Sequence, residues 1–251
     1  MAGAGDGRWV RRFHPSSDAR NRLICFPHAG SSASYFYPVS AAMPSAIEVL
    51  AIQYPGRQDR RNESNVEDLG ELADRVAVAI SGWCEGQVFF LGHSMGATLA
   101  FEVARRLERA GSKAPRALIV SGRPGPTTHR PGTLHQEDDA ALIAEMKELS
   151  GTDARIFDDP ELLQMILPAT RSDYKAIETY RYDPGPGISC PILALVGDCD
   201  PRTTIDDAKD WGQHTSSDFE LRVFPGGHFY LNERSAEVIK TISGYILSRG
   251  C

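Results

Sequence analysis

The sequence predicts an α/β fold, with a mostly parallel central sheet flanked by helices and interrupted by one helical insertion. Three observations predict it. Short apolar runs alternate with longer amphipathic ones, as a chain of strand–helix units requires. One apolar run, Val88–Leu91, passes through Gly92-His93-Ser94-Met95-Gly96 straight into a helical pattern. The alternation then lapses once, between Ser121 and Ile192, where helical spacing replaces strands.

Taken in order, the strands are expected at Leu23–Phe26, Val49–Tyr54, Val88–Leu91, Ala117–Ser121, Ile192–Val196 and Glu220–Phe224. Between them, Val66, Leu69, Leu72, Val76 and Ile80 step by three and four, the spacing of a single buried helix face. Leu99, Val103 and Leu107 repeat that spacing after Gly96, and Val238, Ile242, Tyr245 and Ile246 mark a last helix, with Asn232 or Ser235 as its cap. The exception begins at Gly122-Arg123-Pro124-Gly125-Pro126 and closes at Asp183-Pro184-Gly185-Pro186-Gly187. Between these punctuations lie the patterns Leu142, Met146, Leu149; Leu162, Leu163, Ile166, Leu167; and Tyr174, Ile177. Residues 123–187 are therefore read as a helical lid inserted into a single domain spanning 1–251. An insertion at the C-terminal end of a strand lies on the side where such sheets bind ligands.

Composition narrows the class. The chain has 251 residues, 24% of them charged, and a net charge of −6. A core of this size needs no disulfide or metal, and the negative balance argues against nucleic acid as a partner. The five cysteines (25, 84, 190, 199 and 251) are widely spaced with no C-x-x-C pair. Met1 to Val10 has no apolar core and runs into Arg11-Arg12, and no stretch approaches the ~18 apolar residues of a membrane span. A cytoplasmic protein with no membrane partner is expected, and no heptad seam asks for more than a monomer.

Strand, G-x-S-x-G, helix is the context of a nucleophile elbow, in which the serine sits on a turn too sharp for side chains at its neighbours. Ser94 is the candidate nucleophile. It needs a base, and the base needs a group to fix its tautomer. Of the histidines at 14, 28, 93, 129, 135, 214 and 228, only the last two follow both nucleophile and acid in the α/β-hydrolase order Ser…Asp/Glu…His. His228, in Phe224-Pro225-Gly226-Gly227-His228-Phe229 just beyond the last strand, is the better base. The strand after the elbow ends in Val120-Ser121-Gly122-Arg123-Pro124, without a carboxylate; the next ends in Val196-Gly197-Asp198-Cys199-Asp200-Pro201, with two. Asp200, held extended before Pro201, is assigned as the acid. Asp198 braces the turn and is the fallback, and Cys199 is expected to be a small buried filler.

The oxyanion of an acyl-transfer intermediate needs preorganised backbone donors. The Met95 N–H, next after the nucleophile, is one. The other is expected from Phe26-Pro27-His28-Ala29-Gly30-Ser31-Ser32, with Ala29 as the donor and His28 a candidate for orienting the loop through side-chain hydrogen bonds. Tyr54-Pro55-Gly56-Arg57-Gln58-Asp59-Arg60-Arg61 places three arginines on a turn; they suit either an acidic protein surface or a solvated rim with local ion pairs.

With these residues in hand, the chain resembles the type II, or editing, thioesterases of polyketide and nonribosomal-peptide assembly lines. The motifs that carry the resemblance are Phe26-Pro27-His28-Ala29-Gly30, Tyr54-Pro55-Gly56-Arg57, Gly92-His93-Ser94-Met95-Gly96, Gly197-Asp198-Cys199-Asp200-Pro201 and Gly226-Gly227-His228-Phe229, which span nearly the whole chain. The resemblance implies an α/β-hydrolase fold and a free-standing hydrolase that removes wrong acyl groups from the phosphopantetheine arm of acyl or peptidyl carrier proteins. It places the triad on Ser94, Asp200 and His228, the oxyanion donors on Ala29 and Met95, and a mobile lid on the inserted helices. It calls for no metal and no cofactor beyond the phosphopantetheine that the substrate carries. Arg57, Arg60 and Arg61 are then candidates for carrier docking. The rival readings are a small-molecule serine esterase or peptidase with the same triad and, from another class, a binding protein on a hydrolase scaffold.

Overall fold

The chain opens on a two-residue strand, β1 (Val10–Arg11), followed by β2 (Asn21–Phe26), β3 (Ile47–Ile52), β4 (Gln87–His93), β5 (Ala117–Ser121), β6 (Ile192–Gly197) and β7 (Phe219–Phe224). They form one sheet in the order β1-β3-β2-β4-β5-β6-β7, parallel throughout except for β1, which pairs antiparallel with β3. The computed structural model describes residues 7–128, 132–149, 151 and 154–250, so that His129 and Cys251 fall outside it. All six strands expected from the apolar runs are present. The second of them in chain order illustrates a limit of that reading: β3 begins at Ile47 and ends at Ile52, and Gln53 and Tyr54 already belong to the loop. β1 is too short to leave a periodic signal.

The helices are α1 (Tyr37–Ala42), α2 (Leu69–Ile80), α3 (Met95–Arg109), α4 (Asp139–Leu149), α5 (Pro160–Thr179), α6 (Ile205–Lys209), α7 (Tyr230–Glu233) and α8 (Ser235–Arg249). Strand side chains alternate between two faces, and each face has its own core. On one, Ile24, Phe26, Leu50, Ile52, Phe90, Leu118 and Val120 meet Leu69, Leu72 and Val76 of α2 and Leu99, Val103 and Leu107 of α3. On the other, Leu23, Cys25, Val49, Ala51, Phe89, Leu91 and Ile119 meet Val238, Ile242, Tyr245 and Ile246 of α8. Burial on both faces explains why the central strands read as unbroken apolar runs. α2 starts at Asp68, whose carboxylate accepts the Glu71 N–H at 2.7 Å. α8 departs from expectation: its cap position is Arg234, with no side-chain hydrogen bond, because Asn232 lies inside the short helix α7 and Ser235 is already the first residue of α8.

Between β5 and β6 the structure places α4 and α5. The apolar patterns at Leu162–Leu167 and Tyr174–Ile177 belong to one continuous helix, α5, which begins with Pro160 behind an Asp159 cap and carries Pro168 in its interior. The N-terminal half of α5 packs with α4 in a small separate core around Leu142, Met146 and Leu167. Its C-terminal half, through Ala176 and Ile177, enters the main core instead. The inserted segment is thus fastened to the body along half of its longest helix. No described helix is long and apolar enough to cross a membrane.

Candidate active site

β4 ends at His93 and α3 begins at Met95, so Ser94 alone turns the chain. Its backbone stands at φ 53°, ψ −121°, a conformation that residues with a Cβ rarely adopt and that costs on the order of 1–3 kcal/mol. The glycines on either side are required by close approach. A Cβ at position 92 would lie 2.1 Å from the Gly96 carbonyl oxygen, and one at position 96 would lie 2.1 Å from that of Phe26. The Ser94 N–H donates to the Ser121 carbonyl at 2.8 Å, which pins the turn to β5.

The candidate partner residues sit on the loops beyond the last two strands, β6 and β7. Asp200, just past β6, and His228, just past β7, are both buried, and His228 Nδ1 lies 2.9 Å from Asp200 Oδ2 and 3.0 Å from Oδ1. A carboxylate can only accept, so Nδ1 carries the proton and Nε2 is left with a lone pair. Asp200 Oδ1 also accepts the Arg202 N–H at 2.8 Å. Asp198 is exposed and accepts the Gly226 N–H at 2.9 Å, a bond that ties the β6 loop to the β7 loop and holds its carboxyl below the usual carboxylate range. Cys199 is exposed rather than a buried filler, because the bend between the two aspartates turns it outward.

Ala29 lies in a tight turn closed by the Ser31 N–H on the His28 carbonyl at 3.1 Å, with Gly30 at φ +74°. Ala29, Ser94, Met95 and His228 line one cavity of about 390 Å3, whose other walls include Arg123, Glu145, Tyr174 and Arg202. A second, larger cavity of about 710 Å3 also opens on Ala29, Ser94 and His228, and Met146, Leu149, Met165, Ile166 and Ala169 supply its apolar wall. The serine therefore stands where a polar chamber and a more apolar one meet, and helices α4 and α5 roof the latter.

A profile of the thioesterase domain matches residues 21–246. The chain belongs to the thioesterase family. Thioesterase PikA5 of Streptomyces venezuelae is 48% identical over 96% of this chain and 86% of its own. Among solved structures, the type II thioesterase BorB of the borrelidin biosynthetic cluster superposes with a TM-score of 0.89 at 48% identity, covering 95% of this chain and 97% of that one. YbtT, a type II thioesterase from the yersiniabactin NRPS/PKS pathway, gives 0.86 at 28% identity, covering 97% and 100%. This thioesterase is accordingly a hydrolase of the α/β type, and its relatives serve polyketide and nonribosomal-peptide biosynthesis.

Two parts of the thioesterase site were not foreseen. His93, the residue before Ser94, is fully buried, bonds Ser121 Oγ at 3.0 Å and lies with its ring 5.0 Å from that of His228. Ser121 Oγ in turn meets the Tyr230 hydroxyl at 2.6 Å, so a polar chain runs behind His228. Among the described residues the His28 Nδ1 has no hydrogen-bond partner with which to orient the loop, and its ring is boxed edge-on by Tyr35, Phe229 and His93.

The arginine turn also differs from expectation. Arg57 and Arg60 are 8% and 4% exposed and cannot present charge to a docking partner. Arg60 pairs with Glu63 at 2.6 Å, donates to the Gln53 carbonyl at 2.7 Å and lies 4.1 Å over the Trp9 ring. Arg57 pairs with Asp173 of α5 at 2.6 Å. Arg61 alone of the three is exposed. Arg60 thus makes a local ion pair, as one of the two readings of the turn expected, whereas the Asp173 that buries Arg57 lies 116 residues away, where a local reading of charge does not reach.

Two expectations follow for this thioesterase. Asp200→Asn should lower kcat by several powers of ten, because an amide can present N–H to Nδ1 and stabilise the wrong tautomer, whereas Asp198→Asn should cost far less; steady-state kinetics of the two variants will rank them. The second concerns pH. Burial, helped by the charges of His228 and Arg57, pushes the His28 imidazole down to about 3, and burial holds His93 well below its ordinary value too. Below the unfolded value of 6.5 the unfolded chain takes up these protons and the folded one does not, so stability falls as pH falls through that window. In denaturant unfolding, His28→Phe should lose less stability than the parent between about pH 6.5 and pH 4, by about 1.4 kcal/mol per pH unit at most.

Proposed function

We propose that this thioesterase hydrolyses short or aberrant acyl groups from the phosphopantetheine arm of acyl and peptidyl carrier proteins, clearing stalled synthases through an acyl-serine intermediate. The observation that carries the reading is the strained Ser94, set at the junction of two chambers with the paired His228 and Asp200 on the neighbouring loops. The assembly-line relatives supply the substrate class.

The chemistry runs in two halves. With its Nδ1–H held by Asp200, His228 uses Nε2 to take the Ser94 proton as Oγ attacks the thioester carbonyl. The negative charge that develops on the carbonyl oxygen is received by the Met95 and Ala29 N–H groups. Such donors are worth about 10²–10³ in rate each, since they are already oriented when charge appears. The tetrahedral intermediate collapses with loss of the pantetheine thiolate, a good leaving group that takes the proton from the imidazolium. Water then enters, gives its proton to His228 and attacks the acyl-serine; collapse returns the proton to Ser94 Oγ and releases the acid.

The larger chamber suits the acyl chain, with Met146, Leu149 and Ile166 of the inserted helices forming the apolar wall. In this reading α4 and the N-terminal half of α5 form the lid, since they share a small core of their own, and the C-terminal half of α5 remains with the body. The protein acts as a monomer in the cytoplasm, needs no cofactor, and meets carrier proteins through an exposed surface that includes neither Arg57 nor Arg60.

The test is release of propionate from a propionyl-phosphopantetheinyl carrier protein, measured beside p-nitrophenyl propionate, with Ser94→Ala as the blank. Faster, Ser94-dependent release from the carrier is expected. Activity confined to the free oxygen ester would keep the triad and discard the assembly-line role.

A further inference from the structure

Asp173 takes no part in the chemistry above, yet it is 1% exposed, with both carboxylate oxygens on Arg57 and one of them also on the loop that carries Ala29. Oδ1 accepts from Arg57 Nη2 at 2.9 Å; Oδ2 accepts from Arg57 Nη1 at 2.6 Å and from the Gly30 N–H at 2.8 Å. The same Nη1 also donates to the Ser31 carbonyl at 2.9 Å. On the other side of Ala29, the Tyr54 hydroxyl, whose ring lies 5.2 Å below the Arg57 guanidinium, donates to the Pro27 carbonyl at 3.0 Å. Ala29 is thus bracketed. The residues before and after it in the turn are held by side chains from the β3 loop and from α5.

Stability does not account for this arrangement. Two charges taken out of water lose solvation that their attraction seldom returns in full, and an apolar pair of like volume commonly serves stability as well. What a planar, bidentate pair supplies is fixed geometry. The contact is also close. Gly30 sits against Thr170, one turn before Asp173 on α5, where a Cβ would come within 2.6 Å of Thr170 Oγ1. Because Ala176 and Ile177 root this half of α5 in the main core, the helix is a firm reference for the turn.

The geometry points to Arg57 and Asp173 as positioning residues that clamp the oxyanion loop to helix α5 and aim the Ala29 N–H at the reacting carbonyl. This rests on the reading of Ser94 as nucleophile and of Ala29 and Met95 as oxyanion donors. It gives Arg57 a task inside the protein, and it makes the inserted segment part of the catalytic geometry as well as its cover.

The clamp can be separated from a merely structural role. Removing one partner strands a buried charge, so the informative variants are the apolar double replacement Arg57→Met with Asp173→Leu, and Arg57→Lys, which keeps the charge but cannot span two carboxylate oxygens and the Ser31 carbonyl at once. Each is assayed on the propionyl thioester of N-acetylcysteamine. Each is also titrated with two analogues of it: a trifluoromethyl ketone, which adds Ser94 to form a tetrahedral oxyanion, and a thioether lacking the carbonyl oxygen.

For the double variant kcat should fall about tenfold to a hundredfold, as expected when an oxyanion donor is displaced rather than removed, with Arg57→Lys between it and the parent. KM and thioether affinity should stay within about threefold, while trifluoromethyl ketone affinity falls in step with kcat/KM. Unchanged kcat in variants that melt like the parent, or equal weakening of both analogues, would overturn the clamp. A parent enzyme that the trifluoromethyl ketone does not inhibit would instead overturn the underlying reading of Ser94.

Discussion

The site depends on one constraint: a serine held at positive φ where a parallel strand turns directly into a helix. At φ 53° and ψ −121° Ser94 is strained, and the strain persists because the surroundings leave it no alternative. The first turn of α3 presses so closely on the ends of β4 and β2 that neither Gly92 nor Gly96 has room for a Cβ. The Ser94 N–H is tied to β5. These contacts come from the middle of the sheet, where β4 lies between β2 and β5, the most thoroughly buried place that the fold offers. Packing of the whole domain thus stabilises a local conformation that would not survive alone.

The other residues proposed for the chemistry hang from ends of neighbouring strands. The loop after β2 carries Ala29, the loop after β6 carries Asp200, and the loop after β7 carries His228. Parallel strands deliver all these loops to the same edge of the sheet. The loops are then cross-braced: Asp198 joins the last two, Gln53 accepts the Ala33 N–H at 2.8 Å, and Tyr54 holds Pro27. Tyr35, Phe229 and the His28 and His93 rings pack edge to face beside His228.

Much of this was legible in the sequence because it is local. A central strand buried on both faces writes itself as an apolar run, and the elbow is five consecutive residues with the right flanks. The pairing of Asp200 with His228 could be reached from chain order and strand ends. Part of what escaped was decided at long range. Arg57 and Asp173 stand 116 residues apart, so neither carries a mark of its partner, and an arginine on a turn reads as a surface residue until its carboxylate is found. The cap of α8 was missed for a local reason: Asn232 falls within α7, a four-residue helix too short to leave a periodic signal. Cys199 was misplaced by a bend that alternation does not encode.

The central claim, that Ser94 is an activated nucleophile created by this backbone geometry, is tested most directly by labelling the folded protein with a fluorophosphonate and mapping the modified peptide by mass spectrometry. The account predicts stoichiometric modification of Ser94 alone. No label in folded protein, or label on another serine, would contradict it.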